Sequence, residues 1–196
     1  MSKVAIFASG SGSNAENIVN YFKGRLNSSD FHFFTNNSKA YVNERALKLG
    51  VNLTLFSREE FYNSDKIIEV LKEEACELIV LAGFLWLIPE NFVEAFKGRI
   101  INIHPALLPK FGGKGMYGKR IHEAVVDNKE TETGITIHYV DSNYDEGKII
   151  KQVTCRVLPT DTATDVEAKV HELEYEHYPK VIAEMLSQHS SVGSQQ

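Results

Sequence analysis

Short apolar runs separated by helical patterns most constrain the fold of this chain. The runs are rich in β-branched and aromatic residues, and we expect strands at residues 3–8, 31–35, 51–56, 78–82 and 100–104. A segment with helical periodicity follows each of the first four runs. Such alternation predicts right-handed βαβ units, and therefore a parallel sheet with helices on both faces.

The pattern changes after the fifth predicted strand. Residues 110–118 contain four glycines and predict a mobile loop that closes over a ligand. The runs 133–140 and 148–157 predict two strands whose connection is too short for a helical crossover, so they should pair antiparallel. A long helix should follow and end near residue 186. The sequence thus predicts an α/β fold with a mainly parallel, twisted sheet of about seven strands and an antiparallel C-terminal pair.

A loop of glycine and serine, residues 9–14, joins the first strand to the first helix. Glycines let the backbone approach a ligand, and the N–H groups at a helix start can face an anion. We therefore predict a phosphate-binding turn, with a capping box between Ser13 and Glu16 opening the helix. The loop lacks the P-loop lysine and the third glycine of a dinucleotide fingerprint, so a tight turn without a ligand is the alternative.

Asn102 and His104 are polar side chains in an otherwise apolar strand. Because side chains alternate along a strand, both point to one face, opposite Ile101 and Ile103. Pro105 ends the strand beside them, and α/β proteins place their sites at the carboxyl ends of such strands. We interpret the pair as functional, and the alternative is a pair that neighbouring backbone groups satisfy.

Composition narrows the possible functions. The net charge is −5 and there is no basic run, which argues against nucleic acid as the main partner. We see neither a signal peptide nor an apolar run long enough for a bilayer, and Cys76 and Cys155 fit free thiols without metal-ligand spacing. We expect a cytoplasmic protein that binds no membrane and no metal. One domain should cover residues 1–186, with a disordered tail at 187–196.

Several stretches together resemble the formyltransferase family that uses 10-formyltetrahydrofolate. The matching segments are residues 4–14, 80–84, 101–110 (Ile-Asn-Ile-His-Pro-Ala-Leu-Leu-Pro-Lys), 133–140, 145–147 and 174–179. The likeness is greatest to those members that formylate glycinamide ribonucleotide in purine biosynthesis. The resemblance implies a Rossmann-like formyltransferase fold, with a nucleotide-binding half at residues 1–100 and a catalytic and folate-binding half at 101–186.

The resemblance also implies roles for individual residues. By motif match, the catalytic residues are Asn102, His104 and Asp145. The substrate phosphate would be held by Gly12, Ser13 and Asn14, and the ribose hydroxyls by Glu174. The folate pocket would be lined by Leu85, Trp86, Leu87, Ile88, Asn102, Val140, Asp141 and Asp145. Trp86 stands where relatives often have arginine, so it can stack on the folate instead of hydrogen-bonding. The protein would be a monomer or homodimer that uses 10-formyltetrahydrofolate and no metal.

These residue types suit the transfer of a formyl group to an amine. Attack by the amine gives a tetrahedral intermediate with a negative oxygen and a positive nitrogen. Asn102 and a protonated His104 offer two donors to the oxygen, while Asp145 stabilises the imidazolium and relays the proton of the amine. Because no serine or cysteine lies in these motifs, we expect direct transfer without a covalent intermediate.

Other functions stay open at this stage. A formyltetrahydrofolate hydrolase or a sugar-nucleotide N-formyltransferase of the same superfamily would use the same motifs. The glycine and serine loop alone fits a nucleotide-binding module without catalysis. A zinc hydrolase with His104, His138 and Asp145 as ligands is a more distant alternative.

Overall fold

A computed structural model describes residues 3–192, with side chains through residue 188, and its strands form one sheet. The strands are β1 (Lys3–Phe7), β2 (Phe31–Thr35), β3 (Asn52–Leu55), β4 (Cys76–Leu81), β5 (Ile100–His104), β6 (Glu132–Tyr139) and β7 (Ile149–Arg156). Their order is β3-β2-β1-β4-β5-β6-β7, parallel from β3 to β5, with β6 antiparallel to β5 and β7 antiparallel to β6. The predicted mixed sheet and its antiparallel C-terminal pair are confirmed.

Helices cover both faces of this sheet. They are α1 (Ser13–Tyr21), α2 (Val42–Leu49), α3 (Arg58–Tyr62), α4 (Lys66–Glu73), α5 (Glu90–Ala95), α6 (Lys119–Asp127) and α7 (Ala163–Val192). Alternation along β1 explains the two layers, because Val4 and Ile6 enter one apolar core while Ala5 and Phe7 enter the other. The first core includes residues of α1, α2, α6 and α7, and the second includes residues of α3, α4 and α5.

The C-terminal helix α7 is longer than the sequence predicted. It passes through Pro179 and reaches Val192, so the predicted end near residue 186 is wrong. Residues 193–196 of the predicted tail lie outside the described residues. Within residues 3–192, no helix combines the length and the apolar character needed to cross a membrane.

A buried tyrosine fastens α7 to the middle of the sheet. The Tyr178 hydroxyl lies 3.0 Å from the carbonyl oxygen of Leu81 and 3.3 Å from that of Ile101, which belong to β4 and β5. Burial raises the pKa of this hydroxyl well above its ordinary value, so it stays a hydrogen-bond donor. The helix is therefore held against the end of β4 and the beginning of β5.

Candidate active site

A cavity of about 610 Å³ opens at the carboxyl ends of β1, β4 and β5. Loops leave the parallel strands at this edge of the sheet, as the sequence predicted for the site. The predicted site residues that line the cavity are Gly12, Ser13, Asn14, Leu85, Asn102, His104, Asp145 and Glu174. Five predicted folate-binding residues are absent from its lining: Trp86, Leu87, Ile88, Val140 and Asp141. The cavity therefore brings together the residues predicted for catalysis and for the nucleotide.

One end of the cavity is the N-terminus of α1. Gly12 caps this helix with a φ of 71°, and a Cβ at this position would lie 2.6 Å from the Val42 side chain. Only glycine fits both this backbone conformation and this space. The predicted capping box is wrong, because Ser13 is already the first helical residue and Glu16 pairs with Arg45 instead. The first-turn amides are left without partners inside the helix, which suits an anionic group.

Asn14 and Glu174 are joined at the same end of the cavity. The amide of Asn14 donates to Glu174 Oε2 at 2.9 Å, although the two residues lie on α1 and α7. Both side chains are buried, and Asn14 Oδ1 has no hydrogen-bond partner among the described residues. A carboxylate at this end of the cavity suits a ligand that donates hydrogen bonds, such as a sugar diol.

His171 extends this polar group on α7. Its Nδ1 lies 2.8 Å from Glu174 Oε2, and this hydrogen bond raises the pKa of the imidazole, while burial lowers it by less. His171 also lines the cavity. This end of the cavity therefore has an imidazole with a raised pKa beside the carboxylate, and the motif match did not identify it.

His104 and Asp145 meet at the other end, as the resemblance implied. Nδ1 of His104 lies 3.5 Å from Asp145 Oδ2, and its Nε2 lies 2.8 Å from the carbonyl oxygen of Phe111. Because a carbonyl only accepts hydrogen bonds, Nε2 carries a proton. Asp145 Oδ2 also accepts from the amide of Gly113 at 3.0 Å. Residues 111–113 therefore hold both side chains in this conformation.

Asn102 has a partner that the sequence analysis did not assign to it. Its amide nitrogen lies 3.1 Å from His138 Nε2, since the two residues are opposite each other in the β5–β6 ladder. Nδ1 of His138 lies 2.8 Å from the carbonyl oxygen of Tyr139 and so carries the ring proton. His138 Nε2 is then an acceptor, which turns the amide nitrogen of Asn102 toward it. Burial lowers the pKa of His138 and favours this neutral form.

The possible zinc ligands His104, His138 and Asp145 lie close together. Asp145 Oδ1 is 3.7 Å from His138 Nε2. The contacts of His138 with Asn102 and Tyr139 occupy both of its ring nitrogens. Among the side chains that the structure describes, those of residues 3–188, no group of three or more His, Cys, Asp or Glu is arranged to hold a metal ion. The donor set fits hydrogen bonding better than metal coordination.

The remaining predicted folate residues lie beside the cavity. Trp86 packs against Phe56, Phe61 and Tyr62, with the Arg58 guanidinium 5.5 Å from its ring centre. The Leu87 carbonyl accepts a hydrogen bond from the Tyr62 hydroxyl, and the Ile88 side chain is buried. The backbone amide of Val140 donates to the carbonyl of Ile100, and the Asp141 carboxylate accepts from the backbone amide of Asn143. Leu85 is half exposed and its amide donates to Ser9 Oγ. Trp86 is therefore part of an aromatic cluster.

The sequence matches a known protein family over most of its length. The formyl transferase family profile matches residues 2–182. The chain is 38% identical to the phosphoribosylglycinamide formyltransferase of Bacillus subtilis (strain 168) over 191 residues, which cover 95% of each protein. It is 37% identical to the chloroplastic enzyme of the same name from Arabidopsis thaliana, covering 92% of this chain and 64% of that protein. The chain thus spans less than two thirds of this plant relative.

Solved structures agree with this likeness. The phosphoribosylglycinamide formyltransferase of Streptococcus pneumoniae TIGR4 superimposes with a TM-score of 0.82 at 37% identity, covering 95% of this chain and 99% of that one. The Bacillus halodurans protein of the same name has a TM-score of 0.83 at 34% identity, covering 94% and 95% of the two chains. The Rossmann-like architecture expected from the resemblance is confirmed.

Proposed function

The chain belongs to the formyl transferase family, and from that premise we propose that it formylates glycinamide ribonucleotide with 10-formyltetrahydrofolate. The products are N-formylglycinamide ribonucleotide and tetrahydrofolate, a step of purine biosynthesis. One observation carries the proposal: a single cavity joins an anion-binding helix start and the Asn14–Glu174 pair to the group of Asn102, His104 and Asp145. The relatives from Bacillus subtilis and Streptococcus pneumoniae, each of which matches 95% of this chain, carry the name of this activity.

The substrate phosphate lies at the start of α1 in this proposal. The backbone amides of Gly12, Ser13 and Asn14 approach it closely, because glycine leaves the loop open. Glu174 accepts hydrogen bonds from the ribose hydroxyls. The Asn14 amide nitrogen donates to this carboxylate and positions it.

The amine of the glycine end attacks the formyl carbon beside Asn102. The second proton on the Asn102 amide nitrogen is free to donate to the developing oxyanion, because His138 takes only one. A donor from His104 completes the pair of donors. Its Nε2 is engaged by the Phe111 carbonyl in this conformation, so residues 111–113 shift when His104 donates to the substrate.

In this proposal, Asp145 transfers the proton of the attacking amine to the leaving group. Its carboxylate faces His104 and His138 and is partly buried, where charge interactions are strong. The carboxylate accepts the ammonium proton and returns it to the folate nitrogen that leaves. No covalent intermediate with the protein is needed, because the cavity lining contains no cysteine and the serines Ser11 and Ser13 lie at the phosphate end.

The folate enters from the side of Leu85 in this proposal. We propose that the folate pocket extends beyond the cavity past Leu85. Trp86, Leu87 and Ile88 would follow along the same wall, Val140 and Asp141 would lie along the other wall, and Asn102 and Asp145 would lie at the formyl group. The exposed Leu85 side chain offers apolar contact to the ring system, and Trp86 offers a stacking surface.

The proposal includes a cytoplasmic location and a monomer or homodimer that binds neither nucleic acid nor a membrane. Both cysteines are free, which suits a reducing compartment. The net charge of −5 does not favour a nucleic-acid backbone. Sedimentation equilibrium of the purified protein tests the assembly state, and a species larger than a dimer would contradict this part of the proposal.

A two-tube assay tests the central reaction. The purified protein is mixed with 10-formyltetrahydrofolate, with and without glycinamide ribonucleotide, and the deformylated folate is followed by its absorbance. We expect folate release only when the nucleotide is present. Release in both tubes would identify a hydrolase, whereas no release in either tube would overturn the assignment of this acceptor.

A further inference from the structure

One oxygen of the carboxylate that is proposed to bind the ribose is already engaged by the protein. Oε2 of Glu174 accepts from the amide of Asn14 at 2.9 Å and lies 2.8 Å from Nδ1 of His171. Because a carboxylate only accepts hydrogen bonds, Nδ1 carries a proton and donates it to this contact. Each carboxylate oxygen offers about two acceptor positions, so these two donors fill Oε2.

The other oxygen of this carboxylate, Oε1, is open to a ligand. It has no hydrogen-bond partner among the described residues, and it is not one of the unpaired polar atoms that are closed to solvent. Oδ1 of Asn14, in contrast, is closed to solvent. Glu174 lines the cavity, so Oε1 is the acceptor that a sugar diol can reach. The carboxylate thus has one oxygen held by the protein and one left for the ligand.

His171 is held in one orientation although its side chain is 41% exposed. Its Nε2 lies 3.7 Å from Glu167 Oε1, and its ring stacks on that of Tyr175 at a centroid distance of 5.8 Å and an interplanar angle of 11°. Residues three and four positions apart share one face of a helix, so α7 itself supplies these contacts. They fix the imidazole with Nδ1 directed at Glu174.

Two carboxylates of α7 favour the charged form of this imidazole. The hydrogen bond to Glu174 raises its pKa most, the charges of Glu174 and Glu167 raise it further, and burial lowers it by less. From α6, the neighbouring titratable group is His122, and burial favours the neutral form of that ring. On α1, Glu16 pairs with Arg45, and the strands beneath α7 contribute apolar side chains.

We propose that His171 is a positioning residue, which together with Asn14 holds Oε2 of Glu174 so that Oε1 meets the ribose hydroxyls of the acceptor. This inference rests on the proposed function. His171 acts on the affinity for the nucleotide and not on the transfer of the formyl group, because it acts through the carboxylate that binds the ribose.

A double-mutant cycle tests whether His171 acts through Glu174. We expect His171→Leu to raise the KM for glycinamide ribonucleotide about fivefold, the usual effect of losing one hydrogen bond, without changing kcat or the KM for the folate. In a Glu174→Ala background the same substitution should have no further effect on this KM, because the group that it positions is absent. His171→Gln still has a donor, so its KM should stay within about twofold of that of the unmodified protein.

His177→Leu is the matched control. His177 lies on the same helix and also has a carboxylate nearby, with its Nε2 3.9 Å from Glu176 Oε2, but it lies outside the cavity lining. Its replacement should change no kinetic constant. A shift of the KM in this control equal to that in His171→Leu would mean that any apolar residue on α7 has the same effect.

The pH dependence of the KM separates a charged hydrogen bond from simple packing. The imidazolium of His171 is present below its raised pKa, and its stronger hydrogen bond weakens as the pH rises through that value. The KM of His171→Gln divided by that of the unmodified protein should therefore fall from about two near pH 6 toward one near pH 9. Ionisation of the substrate phosphate and of His122 is common to both proteins and cancels in this ratio.

Other outcomes would overturn the inference. An equal rise in KM with and without the Glu174 carboxylate would mean that His171 does not act through it. A lower kcat with an unchanged KM would place His171 in the transfer step, and a ratio independent of pH would exclude the charged hydrogen bond. If His171→Leu does not fold, the pH profile of His171→Gln decides. Absence of turnover by the unmodified protein with glycinamide ribonucleotide is a different result, because it would reject the proposed function itself.

Discussion

The nucleotide end and the catalytic end of the cavity are held by different kinds of structure. Asn14 and Glu174 lie on the helices α1 and α7, and their hydrogen bond joins two rigid elements. The catalytic end combines a strand with loops, since His104 on β5 is held by Phe111 and faces Asp145 in the turn before β7. For the proposed function, we therefore expect recognition to be fixed in advance and the catalytic groups to be released and rearranged during turnover.

Removing a donor at the catalytic end should give the largest effect. We expect Asn102→Ala to lower kcat by roughly 10²–10³, the usual effect of deleting one oxyanion donor. Binding of the nucleotide, measured by calorimetry, should be unchanged because the two ends are held separately. The control is Asn128→Ala, whose exposed amide only bonds the carbonyl of Ala124. A comparable loss of nucleotide affinity would contradict the separation of the two ends.

The complementary change at the nucleotide end is Glu174→Gln. Hydrogen bonds to a charged group contribute about 1.5–3 kcal/mol, so we expect the KM for the nucleotide to rise roughly 10- to 100-fold. The kcat at saturation should change much less. Glu172→Gln serves as the control, because Glu172 is an exposed residue of the same helix. A fall in kcat without a change in KM would show that the two ends act as one unit.

Gly113→Ala tests the hold of the loop on Asp145. The φ of Gly113 is 90°, and a Cβ there would meet no neighbouring atom, so the substitution strains the backbone without a clash. Strain of about 1 kcal/mol weakens the Gly113–Asp145 hydrogen bond and should change kcat by about fivefold. Gly98→Ala carries the same kind of strain with no contact to the site, and its kcat should be normal.

The smallest effect concerns the pH dependence of stability. The pKa of His171 is raised in the folded protein, so its stabilisation is complete below about pH 6.5 and is lost as the pH rises through the raised value. The pKa of His138 is lowered, so the folded state loses stability as the pH falls below about 6.5. Thermal unfolding of His171→Gln and His138→Gln should therefore deviate from the unmodified protein in opposite directions between pH 8 and 5, each by about 2 °C. If both variants deviated in the same direction, the predicted electrostatic difference between the two ends of the cavity would be contradicted.

The sequence could predict features that depend on local pattern. Strand alternation placed Asn102 and His104 on one face, and both side chains line the cavity. The short connection between the runs 133–140 and 148–157 predicted an antiparallel pair, which β6 and β7 form. These predictions need only the period of the strand or helix and the position where it ends.

Contacts between distant segments could not be predicted in the same way. The pairing of Asn102 with His138 depends on the β5–β6 register, and a slip by one residue would turn the other face of β6 toward it. The hydrogen bonds from residues 111–113 depend on a loop whose glycines permit many conformations. The capping box failed because Gly12 adopts a left-handed conformation that the Ser-x-x-Glu pattern does not reveal.

The Tyr178 hydroxyl has a consequence for the size of the acceptor. It ties α7 to the carbonyls of Leu81 and Ile101, and Leu81 is the ladder partner of Asn102. Glu174 lies one helical turn before Tyr178, so its separation from Asn102 is set by the main chain. In the proposed complex, the distance between the carboxylate that binds the ribose and the amide beside the formyl carbon is therefore fixed. We expect a nucleotide with a longer or shorter arm between sugar and amine to bind at one end of the cavity only, because its amine would not reach the formyl carbon.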